Sequence, residues 1–372
     1  MSTFIPVNEP LLDGNEKAYL NTCIDTGWIS SEGPYVREFE DRLAERVGRR
    51  HGIAVANGTA ALDVAVAALK VGTGDEVILP SLTIISCAAA VVRAGATPVV
   101  VDVDADDWNM DVGQIEKRIT PRTKAIMVVH TYGLPVDMAP LISLADKYAL
   151  ALIEDAAEAH GLAYQGRPCG SFGHISTFSF YPNKLLTTGE GGMVLTDDDN
   201  LAAACRSLRN LCFQKGKRFY HETLGWNYRL SNLQAAVGVA QLERWEEFVT
   251  RKRRIGARYN ELLKDIPKIQ LPLKKRHGTE NMYWVYGLVL DDSVDFDAAE
   301  AMQRLAACNV GTRPFFWPIH QQPVLCRMGL FKDESYPVAE RLARRGFYIP
   351  SGLALTDDQM TRVSRELRSI LK

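Results

Sequence analysis

The chain has 372 residues, 47% hydrophobic and 24% charged, ordinary globular usage with material for two cores. With 43 basic against 45 acidic residues the net charge is -2, so bulk electrostatics recommends neither nucleic acid nor an anionic membrane as partner, and any anion site has to be local. Seven cysteines, odd in number and without a CxxC pair, argue against a disulfide framework or a zinc site and for a reducing cytoplasm; no leader-like N-terminus or bilayer-length apolar run points elsewhere.

Between about Gly52 and Thr196 short apolar runs alternate with helical patterns: "GIAVA", "DEVILP", "TPVVVDV", "KAIMVVH", "ALALIEDAA", "ISTFSF" and "GGMVLT". Runs of Val and Ile without polar alternation suit strands buried on both faces, and the alternation predicts a doubly wound α/β layer. Helices are expected from Ala60 to Lys70 and from Val112 to Ile119. From Ser231 to Asn260 the pattern reads as one long amphipathic helical stretch leading out of a large domain, 1–245, into a small α/β domain, 246–372. In that second part "MYWVYGLVL" and "GTRPFF" read as strands and "FDAAEAMQRLAAC" as a helix. A final helix follows Thr356 or Asp357 as its cap.

The stretch "ISTFSFYPNKLLTTGEGG", Ile175 to Gly192, ends a strand pattern with a lysine that the pattern does not need. Strand alternation puts Thr177, Ser179 and Tyr181 on one face and Phe178 and Phe180 on the other, so Lys184 follows a row of hydroxyls. A lysine after an apolar run ordinarily marks only the solvated end of a strand. Asp155, however, closes the apolar run "ALALI" 29 residues earlier, and ligands in such sheets bind beyond the carboxyl ends of strands. A lysine amine and a carboxylate are what pyridoxal phosphate requires, one to bond its aldehyde and one to keep its ring nitrogen protonated. Asp155 taken alone reads more readily as a helix cap. "AVANGTAALDVAVAAL" supplies a strand, a Gly58-Thr59 turn and a helix start, where backbone N–H groups favour phosphate, and Ser179 could add a hydroxyl. The histidines show no HxxxH or HExxH spacing, so no metal is expected.

With "NGTAAL", "GDEVILPSLT", "GATPVVVDVD", "IEDAAEAHG", "SFGHISTFSFYPNKLLTTGEGGMV" and "GWNYRLSNLQAAVG" in order, the chain resembles the DegT/DnrJ/EryC1/StrS sugar-nucleotide aminotransferases over nearly its whole length. The resemblance implies the type I pyridoxal phosphate aminotransferase fold and a homodimer with shared active sites. It implies that Lys184 bonds the cofactor, Asp155 pairs with its ring nitrogen and Glu158 approaches its ring hydroxyl. Gly58, Thr59 and Ser179 would hold the phosphate, with Asn227 reaching it from the partner subunit. Ile84 stands where the family usually places an aromatic ring over the cofactor. On the substrate side the resemblance suggests Trp28, Ser30 and Ser31 of "TGWISSEG"; the basic stretch "QKGKRFYH" offers Lys215 for a diphosphate or reads equally as a solvated loop, and "GTRPFFWPIH" offers Arg313 and His320. Arg229 suits a substrate anion or a dimer contact equally, and His320 reads more readily as a structural histidine. L-Glutamate is the expected amino donor. The acceptor is expected to be a nucleotide-linked keto-sugar, most like the GDP-4-keto-6-deoxymannose used by the perosamine-forming branch. A UDP or dTDP sugar, a cyclitol ketone, or a silent cofactor-binding sensor stay open. Lysine at 184, where the related sugar dehydratases carry histidine, argues against dehydration.

Overall fold

The computed structural model describes residues 3–372 apart from 215 and 218. The chain opens with helices α1 (Glu16–Thr26) and α2 (Pro34–Val47), followed by β1 (His51–Val55), α3 (Gly58–Ala68), β2 (Glu76–Pro80), α4 (Ile85–Arg93) and β3 (Thr97–Val101). It continues with β4 (Thr123–Val129), α5 (Met138–Lys147), β5 (Ala151–Asp155), a small hairpin of β6 (Ala163–Tyr164) and β7 (Arg167–Pro168), then β8 (Ile175–Ser179), β9 (Gly192–Thr196) and α6 (Asp199–Leu208). These strands make a seven-stranded sheet in the order β1-β9-β8-β5-β4-β2-β3, parallel except for β9, which runs against both neighbours. Apolar clusters cover both faces, as the unalternated strand sequences predicted.

Two expectations fail locally. Residues 112–119 form two short 3₁₀ turns, Val112–Gln114 and Glu116–Arg118, because the Asp111 side chain caps the Gly113 N–H and the segment is too short to pay back a helix nucleus. The long amphipathic stretch is two helices, α7 (Asn232–Glu243) and α8 (Trp245–Leu263), interrupted at Arg244. Ser231 and Gln234 form a capping box at the start of α7, which is apolar almost all round because it packs against both α1 and α2. At the break the Arg244 guanidinium is held by Asp13 and Glu247.

The second sheet has the order β10-β13-β15-β14, with β10 (Ile269–Gln270), β13 (Tyr286–Leu290), β14 (Arg313–Pro314) and β15 (Gly346–Ile349) all antiparallel. Beside it stand the hairpin β11 (Lys275–Arg276) with β12 (Thr279–Glu280) and helices α9 (Ala298–Ala307), α10 (Pro323–Arg327), α11 (Pro337–Arg345) and α12 (Asp357–Ile370). Thr356 caps α12 in a second capping box. The proposed 245/246 division falls at the α7–α8 junction, but the first residues cross it. Ile5 exchanges backbone hydrogen bonds with Asn309 and Gly311 and is buried in the apolar core of the second sheet. Only Tyr286–Leu290 of "MYWVYGLVL" pairs as strand, because Tyr283 takes a left-handed φ of 52° and turns the chain before it.

Candidate active site

The ends of β5 and β8 lie side by side, with Asp155 opposite Thr177 in parallel register, and Lys184 sits in the turn that follows β8. This brings Asp155, Glu158 and Lys184 to the wall of one cavity of about 720 Å³ beyond the carboxyl ends of the strands. Lys184 Nζ is 3.6 Å from Glu158 Oε1 and 3.9 Å from the centroid of the Trp284 ring. Burial pushes the lysine amine below its ordinary pKa, while Glu158 and Asp155 pull it back up. Burial likewise lifts Glu158, to about 7, against the opposing charge of Lys184 and the Tyr132 N–H that Oε2 accepts at 2.9 Å. The Asp155 carboxyl is raised by burial and drawn back by the donors it accepts. Oδ1 takes the Ala157 N–H at 3.0 Å and the Thr177 hydroxyl at 3.3 Å, and Oδ2 takes the Cys87 thiol at 3.3 Å.

The far end of the cavity is the start of α3. Asn57 caps it, its side chain accepting the Ala60 N–H at 2.8 Å, which leaves the Gly58 and Thr59 amides outside the helix ladder. A Cβ at Gly58 would meet Ser179 Cβ at 2.8 Å, so only glycine lets the helix start approach β8 this closely. Thr59 Oγ1 lies 2.9 Å from Ser86 Oγ, adding a hydroxyl pair beside Ser179.

The sequence model of the DegT/DnrJ/EryC1/StrS aminotransferase family matches residues 10–368. The chain belongs to that family. It is 41% identical to the GDP-perosamine synthase of Caulobacter vibrioides over 371 residues, 99% of this chain and 98% of that protein. The Vibrio cholerae protein of the same name is 40% identical over 359 residues, 96% and 97% of the two chains. Among solved structures, S. venezuelae DesV in complex with a ketimine intermediate superposes with a TM-score of 0.91 at 33% identity, covering 100% of this chain and 99% of that one.

The family's cofactor is pyridoxal 5'-phosphate. The residues present fit it at both ends: a buried lysine beside a buried carboxylate, and a glycine-lined helix N-terminus with hydroxyls on the wall of the same cavity. Ile84 caps α4 and is 41% exposed toward this cavity, so it can pack on a ring face without stacking. Offset ring pairs are worth about 0.5–1.5 kcal/mol beyond burial. Ile84→Tyr is therefore expected to lower the cofactor's dissociation constant by roughly 2–10-fold, read by absorbance titration; weaker binding would mean the wall is shaped for isoleucine.

Among the wall residues that escaped the sequence reading are Trp284, Phe316 and Tyr348. Trp284 was absorbed into an expected strand; the left-handed turn at Tyr283 instead releases it toward Lys184, with its indole N–H donating to the Asn183 carbonyl at 3.0 Å. The Glu158–Lys184 pair gives a further expectation. Removing the carboxylate lowers the lysine pKa, so Glu158→Gln should present more neutral amine at a given pH and shift the pH dependence of the cofactor-uptake rate down by about one unit. Stopped-flow absorbance checks this, and an upward shift would show that Glu158 does not set the charge of Lys184.

The substrate-side candidates separate. Ser30, Ser31 and Arg229 line a second cavity of about 700 Å³ together with Arg206, Arg209 and Asn210, where Arg229 donates to Asn210 Oδ1 at 2.6 Å. Asn227 is exposed next to this cavity, bridged to Asn210, and does not line the Lys184 cavity of its own chain. Trp28 is exposed outside both cavities, its carbonyl accepting from Asn232 at 2.7 Å. Arg313 is exposed opposite Tyr348 in the second sheet. His320 is buried 2.9 Å from Glu340 and against the Tyr336 ring, where it fastens α11 as a structural histidine would, and it lines neither cavity. Lys215 and Arg218 lie outside the described residues; Lys217 is exposed.

Among the described residues one metal-type cluster occurs, the buried trio His130, Glu154 and Cys169. Its carboxylate is already saturated by the Gly170, Phe172 and Gly173 amides and by His130, an arrangement that ties the loop after β7 to β5.

Proposed function

We propose that the protein transfers the amino group of L-glutamate to a nucleotide-linked 4-keto-6-deoxy sugar, with GDP-4-keto-6-deoxymannose as acceptor and GDP-perosamine as product. The observation that carries the aminotransferase chemistry is the buried Lys184 amine between Glu158 and Asp155. Identity of 40% to 41% with GDP-perosamine synthases over nearly the full length supports the choice of sugar. Bound pyridoxal phosphate supplies an aldehyde that accepts the amino group and a ring that takes up electrons. Lys184 Nζ, its pKa lowered by burial, is placed to take the proton from the donor carbon that bears the amine and, in the second half-reaction, to deliver one to the sugar carbon that receives it. Asp155 keeps the ring nitrogen protonated, its Oδ1 accepting from the Ala157 amide and the Thr177 hydroxyl. Trp284, Phe316 and Tyr348 form an apolar side wall that limits water beside the lysine. Asn183 Oδ1, buried without a hydrogen-bond partner on the same wall, offers an acceptor to a substrate hydroxyl.

The reading includes a cytoplasmic homodimer with shared sites. Among the described residues lining the Lys184 cavity, Lys184 is the sole cation against Asp63, Asp155, Glu158 and Glu190. A cofactor phosphate and a sugar diphosphate both call for further cations and donors. Asn227, Arg229, Ser30 and Ser31, grouped at the second cavity, are the groups a partner chain would bring. No described helix is long and apolar enough to cross a membrane. Asn227→Ala is expected to weaken cofactor retention several-fold. Mixing it with Lys184→Ala should restore retention, because one hybrid site then has both residues; no gain on mixing would place Asn227 outside any shared site.

The direct test is an absorbance titration with pyridoxal phosphate, then glutamate, then GDP-4-keto-6-deoxymannose with mass analysis of the product. Bleaching by glutamate followed by recovery of the band and an aminated GDP-sugar supports the reading. Bleaching without recovery redirects the acceptor to UDP or dTDP keto-sugars or a cyclitol ketone, and a band that glutamate leaves unchanged favours a cofactor-binding sensor.

A further inference from the structure

Asp155 carries an asymmetric set of donors. Two hydrogen bonds reach Oδ1, whereas among the described residues Oδ2 has one donor, the Cys87 thiol at 3.3 Å. Cys87 is the third residue of α4, fully buried, and 68 positions away from Asp155 in the chain. Thr83 Oγ1 lies 3.7 Å from the same sulfur, which makes a buried chain of hydroxyl, thiol and carboxylate. Burial and the neighbouring carboxylate push the thiol well above its ordinary pKa, so it stays protonated and inert as a nucleophile. What it can do is donate, and a thiol donates more weakly than a hydroxyl.

We propose that Cys87 is a positioning residue for transamination: its thiol fixes the rotation of the Asp155 carboxylate and, as a weak donor, leaves that carboxylate basic enough to hold the proton of the cofactor's ring nitrogen. The proposal rests on the reading that Asp155 faces that nitrogen. A stronger donor at 87 would make Asp155 less basic, and no donor would let it turn and protonate at higher pH. The other charged groups facing Asp155 are Lys184 and Glu158, both retained in the variants below.

The test uses the full-length protein loaded with pyridoxal phosphate and two variants. Cys87→Val fills the same space without a donor, and Cys87→Ser keeps a donor of greater strength. For each, cofactor dissociation is measured by absorbance, along with the midpoint of acid-side cofactor release and the thermal unfolding of the apo form. Falling pH protonates Asp155 and loosens the cofactor, so the donor-free valine variant is expected to release it at a pH higher by about half a unit and to bind it roughly 3–10-fold more weakly. The serine variant should release it at a pH equal to or below that of the wild type. A valine variant that folds normally with wild-type affinity and release midpoint overturns the proposal, as does a serine variant that moves in the same direction as valine. If the wild type itself forms no cofactor band, the reading of Asp155 and Lys184 fails first and this inference with it.

Discussion

Lys184→Ala is expected to eliminate transamination, with turnover falling by roughly 10⁴-fold or more while the fold persists. The lysine carries two tasks that no neighbour can assume. Its amine is the group positioned to bond the cofactor, and it is the sole basic side chain among the described residues of its cavity. The acidic neighbours cannot substitute: a carboxyl has no amine to offer the cofactor, Glu158 loses the charge that helps keep it ionised, and Asp155 is occupied by three donors. Unfolding should change little, because Glu158 can neutralise once its partner is gone. Soaking the variant with a small primary amine should return a fraction of the rate. Full activity without added amine would remove Lys184 from the mechanism.

Asp155→Asn is the second large effect, a loss of about 10²–10³-fold in turnover. The substitution is nearly isosteric and can keep the Ala157 and Thr177 bonds at its oxygen, so the loss isolates charge from shape. A neutral amide does not hold a proton on the ring nitrogen, and the ring then takes up electrons poorly. Cofactor binding should weaken less than turnover does. Single-turnover measurement with glutamate checks this. A variant impaired in binding but with normal single-turnover rates would make Asp155 a docking group only.

Both effects trace to elements legible along the chain. Unalternated Val and Ile runs marked the buried strands, and their ends carry Asp155 and Lys184, because strand periodicity says where a side chain leaves the sheet. The α3 start was equally readable, since a cap and a glycine are local features. Where burial or backbone conformation is set from a distance, the chain carries no local mark of it. Residues 112–119 had the pattern of a helix but not the length, and the break at Arg244 depends on Asp13, 231 positions away.

The sequence alone determined the family, the seven buried strands and the lysine–carboxylate pair, because these rest on local periodicity and ordered motifs. Tertiary packing alone decided the rest. Tyr283's left-handed turn aims Trp284 at the amine, α4 presents Cys87 to Asp155, and α11 claims His320 through Glu340. Arg229 gathers with Ser30 and Ser31 at a cavity apart from Lys184. Each of these contacts joins residues far apart in the chain, and their pairing is settled by which faces the sheets and helices bury against each other.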